Sequence, residues 1–136
     1  MIAVDTSALV AISLNEPERS SFLTIIRGAP KVLVSTVSVV ETKMVLFGRK
    51  GVRAVVMFDD LLGLRRFEIT PPSRADMDAA YAAFLAFGRG SGHPAALNFG
   101  DVFSYALAKV RNLPLLYKGN DFAETDLHAA AANSGG

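Results

Sequence analysis

Four acidic residues of this sequence stand beside predicted strand ends or near the starts of predicted helices. Asp5 and Asp121 follow apolar runs that are typical of buried strands. Glu41 and Asp101 lie in the first turns of two predicted helices. Burying an ionised carboxylate is costly unless it is paired, hydrogen-bonded or bound to a metal. The partner that these carboxylates require therefore indicates the chemistry of the protein.

A divalent cation is the partner that best fits several converging carboxylates, because such groups repel one another unless a cation lies among them. The sequence has no cysteine and two histidines, His93 and His128, so the ligands would be oxygen atoms. Oxygen ligands suit Mg²⁺ or Mn²⁺ rather than Zn²⁺. Such an ion would activate a water molecule and hold a phosphodiester. Both histidines are interpreted as solvated surface residues rather than as a general base.

Each acid also has a structural explanation of its own. Asp5 and Asp101 could be helix N-caps, a position that aspartate favours. Glu41 could be an exposed residue stabilised by the helix dipole, and Asp121 could belong to a turn. The joint pattern favours a metal site, provided that the fold brings the four acids together.

The elements that must position these acids alternate between strands and helices. Apolar or β-branched runs predict strands at 2–4, 31–36, 66–70 and 113–117, with helical patterns between them. This alternation implies an α/β fold, a three-layer α/β/α sandwich with a central, mostly parallel sheet. Ligands of such sheets bind at the carboxyl ends of the strands, which is where all four acids would lie.

One predicted helix, over 38–48, depends on a stripe of apolar residues. Val40, Met44 and Phe47 follow the i, i+4, i+7 spacing of one helix face. The spacing predicts that this face is the apolar side of the helix, with Glu41 beside it.

Length and composition limit the class of protein. The 136 residues predict one domain over 1–130, followed by a weakly ordered tail at 131–136. The net charge of +1 does not mark a general nucleic-acid binder, so any phosphate-binding surface must be a local patch. There is no apolar run of membrane-spanning length and no secretory signal, and the lack of cysteine fits a reducing cytosol. A cytoplasmic protein without a membrane partner is expected.

Four segments carry a resemblance to a known family: MIAVDTSALVAI, STVSVVET, NFGDVFSYALAK and PLLYKGNDFAETDL. In order and spacing they resemble the PIN-domain family and, within it, the VapC-type toxin ribonucleases of bacterial toxin–antitoxin pairs. The resemblance covers nearly the whole chain. It implies Mg²⁺- or Mn²⁺-dependent cleavage of RNA, with structured RNA such as tRNA or rRNA as the expected substrate. It also implies a cognate antitoxin and a homodimer.

The resemblance assigns roles to the acids. It implies that Asp5 and Asp101 are direct metal ligands, whereas Glu41 and Asp121 act through water or as part of the acidic pocket. Asp126 is an alternative to Asp121 as the fourth acid, although its spacing favours a helix cap.

The same resemblance implies supporting roles for three polar residues next to the acids in the sequence. Thr6 and Ser7 match small hydroxyl residues that support the first acid. Asn120 stands where related sequences often carry the first acid of a pair, and one charge fewer would weaken a second metal site.

RNA also requires basic contacts around the acids. The candidates are Arg49, Lys50, Arg53, Arg89 and Lys118. Lysine and arginine contacts to phosphate give affinity that depends on salt and not on sequence. The alternative is that these charges are simply solvated, as most surface charges are.

Two other functions stay open from the residues alone. The first is an aspartate-based phosphotransfer domain, whose expected lysine Lys118 matches only loosely. The dehalogenase-type phosphatases of this class also need a second acid at the position where Ser7 stands. A non-catalytic RNA- or protein-binding module of the same fold has no need for four mutually repelling acids. Metal binding distinguishes the binding module from the ribonuclease, and RNA cleavage distinguishes the phosphotransfer domain from the ribonuclease.

Overall fold

A four-stranded, all-parallel sheet forms the centre of the computed structural model, which describes residues 1–130. The strands are β1 (Ile2–Val4), β2 (Val32–Ser35), β3 (Phe67–Thr70) and β4 (Leu115–Leu116). The helices are α1 (Thr6–Ser13), α2 (Arg19–Gly28), α3 (Thr36–Lys50), α4 (Val52–Leu62), α5 (Arg74–Phe87) and α6 (Phe99–Arg111). A short 3-10 helix spans Phe122–Glu124. The predicted tail at 131–136 lies outside the described residues.

The strand order is β3-β2-β1-β4, and each neighbouring pair is parallel. Alternate side chains of the strands enter two different cores, as the pleat requires. Ile2 and Val4 of β1 pack with α1 to α4, whereas Ala3 and Leu115 pack with α5 and α6. The predicted three-layer α/β/α fold is confirmed. In the described part of the chain, no helix is both long and apolar enough to cross a membrane.

Helix α3 buries a different face from the predicted one. The exposed fractions of the predicted apolar stripe are 54% for Val40, 70% for Met44 and 61% for Phe47. The buried residues of the helix are Ser38, Val39, Thr42 and Leu46. Thr42 Oγ1 donates to the Ser38 carbonyl at 2.7 Å, and the Ser38 hydroxyl pairs with that of Ser104 at 3.1 Å. The hydroxyls are satisfied inside the protein, so small polar residues can face the core while the apolar stripe faces outward.

An ion pair between the buried Asp76 and the partly exposed Arg111 joins α5 to α6. Arg111 donates from Nη1 and Nη2 to the two oxygens of Asp76, at 2.7 and 3.0 Å. Asp76 also forms a reciprocal capping box with Ser73 at the start of α5. Burial alone would raise the pKa of Asp76, but the hydrogen bonds from Arg111 and Ser73 outweigh burial and lower it. This carboxylate is therefore fully neutralised by groups of the protein itself.

Candidate active site

The four predicted acids share one site at the carboxyl edge of the sheet. Asp5 directly follows β1, and Asp101 lies in the first turn of α6. The charges of Asp5, Glu41 and Asp121 all act on Asp101. We call this set the acidic edge: Asp5, Glu41, Asp101 and Asp121.

Asp5 has two roles, one for each carboxylate oxygen. Its Oδ2 accepts the Ser7 N–H at 3.0 Å and thereby caps α1. Its Oδ1 is buried and has no hydrogen-bond partner within residues 1–130, and neither has the buried hydroxyl of Thr6. A buried, unpartnered carboxylate oxygen is costly. Helix capping therefore explains one oxygen of Asp5 and leaves the other available to a ligand.

Asp101 is held at the start of α6 by a capping box with Asn98. The Asn98 N–H donates to Asp101 Oδ2 at 3.0 Å, and the Asp101 N–H donates to Asn98 Oδ1 at 2.9 Å. Burial, together with the nearby negative charges, raises the pKa of Asp101 to about 7 against the lowering effect of the Asn98 hydrogen bond. The carboxylate is rigidly placed, and its negative charge is destabilised where it stands.

Glu41 reaches the acidic edge from α3, where it is half-buried. Its carboxylate lies directly against the backbone of Gly100, the second residue of α6. Asp121 follows Gly119 and Asn120 in an exposed turn after β4. Gly119 has a φ of +96°, a backbone conformation that favours glycine at this turn.

Asp126, the alternative fourth acid, is engaged elsewhere. Its two oxygens accept from the Tyr105 hydroxyl and from Lys109 Nζ, both at 2.6 Å. The charge of Asp121, and not that of Asp126, acts on Asp101. This placement favours Asp121 as the fourth member of the acidic edge.

Ser7 and Lys118 connect the first acid to the loop that carries Asp121. The Lys118 N–H donates to Ser7 Oγ at 2.9 Å. The Lys118 ammonium forms ion pairs with Glu16 at 2.9 Å and with Glu18 at 3.3 Å. Lys118, a predicted RNA contact, is thus already paired with two carboxylates and braces the loop against the segment between α1 and α2.

The other predicted RNA contacts divide into two groups. Arg49 and Lys50 end α3, and Arg53 lies in α4. At about 1.5 Å per residue, Lys50 stands about 14 Å along the helix from Glu41. Arg89 lies nearer the acids, because its N–H donates to the Leu97 carbonyl directly before the start of α6. Of these four cations, Arg89 is therefore the one whose backbone is joined to the segment before α6.

The residues at the acidic edge fit a divalent cation with oxygen ligands. Asp5 Oδ1 is buried and unpartnered, and Asp101 uses only Oδ2 in its capping box. Within the described residues, no three Asp, Glu, His or Cys side chains converge closely enough to enclose an ion. Mg²⁺ commonly takes one or two protein carboxylates and completes its shell with water and phosphate oxygens. Asp5 and Asp101, each with one carboxylate oxygen not used for helix capping, would match this preference.

The two histidines take no part in the acidic edge. His93 Nδ1 accepts the Ala95 N–H at 3.1 Å, and its ring packs edge-on against Phe87. His128 is exposed near the end of the described chain, and its carbonyl accepts from the Leu115 N–H. His93 thus shapes the glycine-rich loop before α6.

Two residues that position the acids were not singled out by the sequence analysis. Asn98 holds Asp101 through the capping box, and Gly100 provides the surface against which Glu41 lies. The spacing of Asn98 and Asp101 carries the capping-box signal, which could have been found from the sequence. Nothing in the sequence shows that Gly100 meets a residue almost sixty positions earlier, since that contact exists only in the fold.

Comparison with known proteins identifies the family. The PIN domain family matches residues 2–127. The chain is 40% identical over 127 residues to ribonuclease VapC28 of Mycobacterium tuberculosis, an alignment that covers 93% of this chain and 96% of that protein. It is 39% identical over 128 residues to ribonuclease VapC of Mycolicibacterium smegmatis, with coverages of 94% and 98%. The chain therefore belongs to the PIN-domain family and, within it, to the VapC ribonucleases.

Solved structures share the fold. Mycobacterium tuberculosis VapC20, described as a sarcin–ricin loop cleaving toxin, has a TM-score of 0.77 at 19% identity, covering 93% of this chain and 96% of its own. A toxin–antitoxin complex from Klebsiella pneumoniae contains a chain with a TM-score of 0.70 at 18% identity, with coverages of 90% and 91%. At these identities the likeness shows the fold alone.

Proposed function

We propose that this protein is a Mg²⁺- or Mn²⁺-dependent endoribonuclease toxin that hydrolyses phosphodiester bonds in structured RNA such as tRNA or rRNA. The observation that carries the proposal is the acidic edge: four carboxylates share one site, and Asp5 Oδ1 is buried there without a hydrogen-bond partner among residues 1–130. The curated relatives, which match nearly the whole chain, are ribonucleases by name. A binding module would gain nothing from keeping this repulsion.

The residues of the acidic edge have distinct tasks in this proposal. Asp5 and Asp101 would hold the cation, because both are fixed by hydrogen bonds at the ends of regular elements. Glu41 and Asp121 would orient water and add negative charge around it. The cation, when bound, supplies an activated water and offsets the charge of the phosphodiester. Arg89 would contact the RNA backbone next to this site.

Cleavage of a total-RNA pool by the purified chain tests this proposal. We expect cleavage with Mg²⁺ and with Mn²⁺, and none with a chelator. Asp101→Asn is the matched control, because asparagine keeps the size of the side chain and removes its charge. Cleavage that survives the chelator, or that Asp101→Asn leaves unchanged, would contradict the proposal. If the folded protein cleaves nothing, calorimetric titration with Mn²⁺ distinguishes a metal-binding nuclease with a narrower substrate from a binding module.

A cognate antitoxin is the second part of the proposal, and a groove of about 500 Å³ between α1, α2 and α4 is its proposed docking site. Leu23, Phe58 and Leu61 line its floor, and it also carries Lys50 and Arg53. This combination fits a peptide segment with apolar and acidic side chains. We expect charge reversal at Lys50 and Arg53 to weaken binding of the antitoxin encoded beside this protein by a larger factor than it lowers RNA cleavage.

A homodimer is the third part, and the exposed apolar surface on α3 and α5 supports it. The exposed apolar residues are Val40, Met44 and Phe47 on α3 and Tyr81, Phe84 and Leu85 on α5, and Phe99 of α6 lines the groove beside each of the two helices. Exposed apolar patches of this kind mark protein interfaces. Light scattering is expected to give twice the mass of one chain, and Phe47→Lys is expected to give the mass of a single chain. A wild-type mass of one chain would contradict the dimer.

A further inference from the structure

Gly100 occupies a position where glycine is otherwise unfavourable. It is buried in the first turn of α6, between Phe99 and Asp101. Alanine is a better helix former than glycine, so helix stability alone would favour a different residue here. The preference for glycine must therefore come from what lies beside it.

The neighbour of Gly100 is the carboxylate of Glu41. A Cβ atom built on Gly100 would lie 2.5 Å from Glu41 Oε1 and 2.7 Å from its Cδ. The space that a methyl group would need is thus filled by the Glu41 carboxylate.

Packing against Gly100 is also the main restraint on this carboxylate. Within residues 1–130, the side chain of Glu41 forms neither a hydrogen bond nor an ion pair with another side chain. The first N–H groups of a helix lack intrahelical acceptors, and the helix dipole favours negative charge at that end. The missing side chain at position 100 therefore lets the carboxylate approach the start of α6, where the helix dipole offsets part of its repulsion by Asp101.

We propose that Gly100 is a positioning residue. Because it has no side chain, the Glu41 carboxylate can lie in the acidic edge beside Asp101. This inference rests on the proposed ribonuclease function. Glu41 is the flexible partner in the contact, so a methyl group at position 100 displaces the carboxylate and leaves the backbone of α6 in place.

The substitution Gly100→Ala tests the proposal, with Gly48→Ala as its matched control. Gly48 also lies within a helix, but a Cβ built there meets nothing within 4 Å. We expect Gly100→Ala to lower kcat by about a hundredfold, as a displaced catalytic group does, with KM little changed. Gly48→Ala should keep the wild-type kcat. Neither substitution should lower the Tm, since alanine favours the helix.

A double-mutant cycle shows whether Gly100 acts through Glu41. Glu41→Gln alone should lower kcat to a similar extent, and Glu41→Gln combined with Gly100→Ala should be no worse than Glu41→Gln. Multiplicative losses, or wild-type kcat in Gly100→Ala or in Glu41→Gln, would overturn the proposal.

A crystal structure of Gly100→Ala separates this inference from the ribonuclease function. The Glu41 carboxylate should be displaced while α6 keeps its position. An unmoved carboxylate would overturn the positioning role even if the enzyme is active. A displaced carboxylate in Gly100→Ala, together with a wild-type chain that neither cleaves RNA nor binds Mn²⁺, would support the positioning role and contradict the proposed function.

Discussion

The acidic side chains near the two ends of α6 have opposite electrostatic environments. At its start, the charges of three other acids act on Asp101, and the buried Oδ1 of Asp5 has no hydrogen-bond partner in the described part of the chain. Towards its end, Asp76 is bound by Arg111 through two hydrogen bonds, and Asp126 is bound by Tyr105 and Lys109. The helix is about 20 Å long, so these two environments are well separated.

This difference separates acids whose charge the protein neutralises from acids that lie among like charges. A carboxylate whose charge the protein neutralises stabilises the fold, as Asp76 and Asp126 do. A carboxylate that is buried among like charges destabilises the fold until a cation binds. Mutations of the two groups should therefore have opposite effects on stability and on activity.

Asp5→Asn tests the functional end and has the largest expected effect. We expect RNA cleavage to fall by about a thousandfold or more, because the residues of a catalytic unit act together. Asparagine keeps the N-cap of α1, so the Tm of the metal-free protein should stay the same or rise as repulsion is relieved. Circular dichroism measures the Tm, and gel assays measure cleavage. A large fall in Tm with cleavage retained would show that Asp5 is a structural cap.

Asp76→Asn tests the structural end. We expect a loss of about 2 kcal/mol in the free energy of unfolding, because Asp76 loses its charge and its hydrogen bonds from Arg111 are weakened. Urea denaturation measures this loss, and cleavage per folded molecule should be unchanged. Asp78→Asn, an exposed neighbour on the same helix, is the control and should change stability by less than about 0.5 kcal/mol. Equal effects of the two substitutions would contradict the structural role of the pair.

The pH dependence of the unfolding free energy tests the same ion pair of Asp76 and Arg111, and the expected change is smaller. The folded pKa of Asp76 lies below its ordinary value of 3.8, so its stabilising contribution is present above pH 3.8. The contribution is lost as the pH falls through the folded pKa. The difference in unfolding free energy between wild type and Asp76→Asn should thus be constant near neutral pH and shrink below pH 3.8. A difference that persists unchanged into strong acid would show that the charge of Asp76 is not its source.

Asp126→Asn should have the smallest effect. Its ion pair with Lys109 is about half exposed, so we expect a loss of less than about 1 kcal/mol and unchanged RNA cleavage. Asp121→Asn, the matched comparison, should lower cleavage with little effect on stability. The reverse outcome would make Asp126 the fourth functional acid.

The order of elements and the choice of acids were readable from the sequence because both depend on local patterns. Short apolar runs such as that before Asp5 mark strands, and caps such as Ser73 mark helix starts. Once the strands are parallel, the ends of β1 and β4 must lie at one edge, so the sequence predicts that Asp5 and Asp121 approach each other.

The tertiary structure alone decided which faces are buried and which charges are paired. The stripe of Val40 and Met44 is periodic in the sequence, yet the fold buries Thr42 on the other face, because a small hydroxyl can bond within its own helix. The pairing of Lys118 with Glu16 and the contact of Gly100 with Glu41 join residues far apart in the chain. Local patterns specify what each segment becomes, whereas contacts between distant residues depend on how the layers pack.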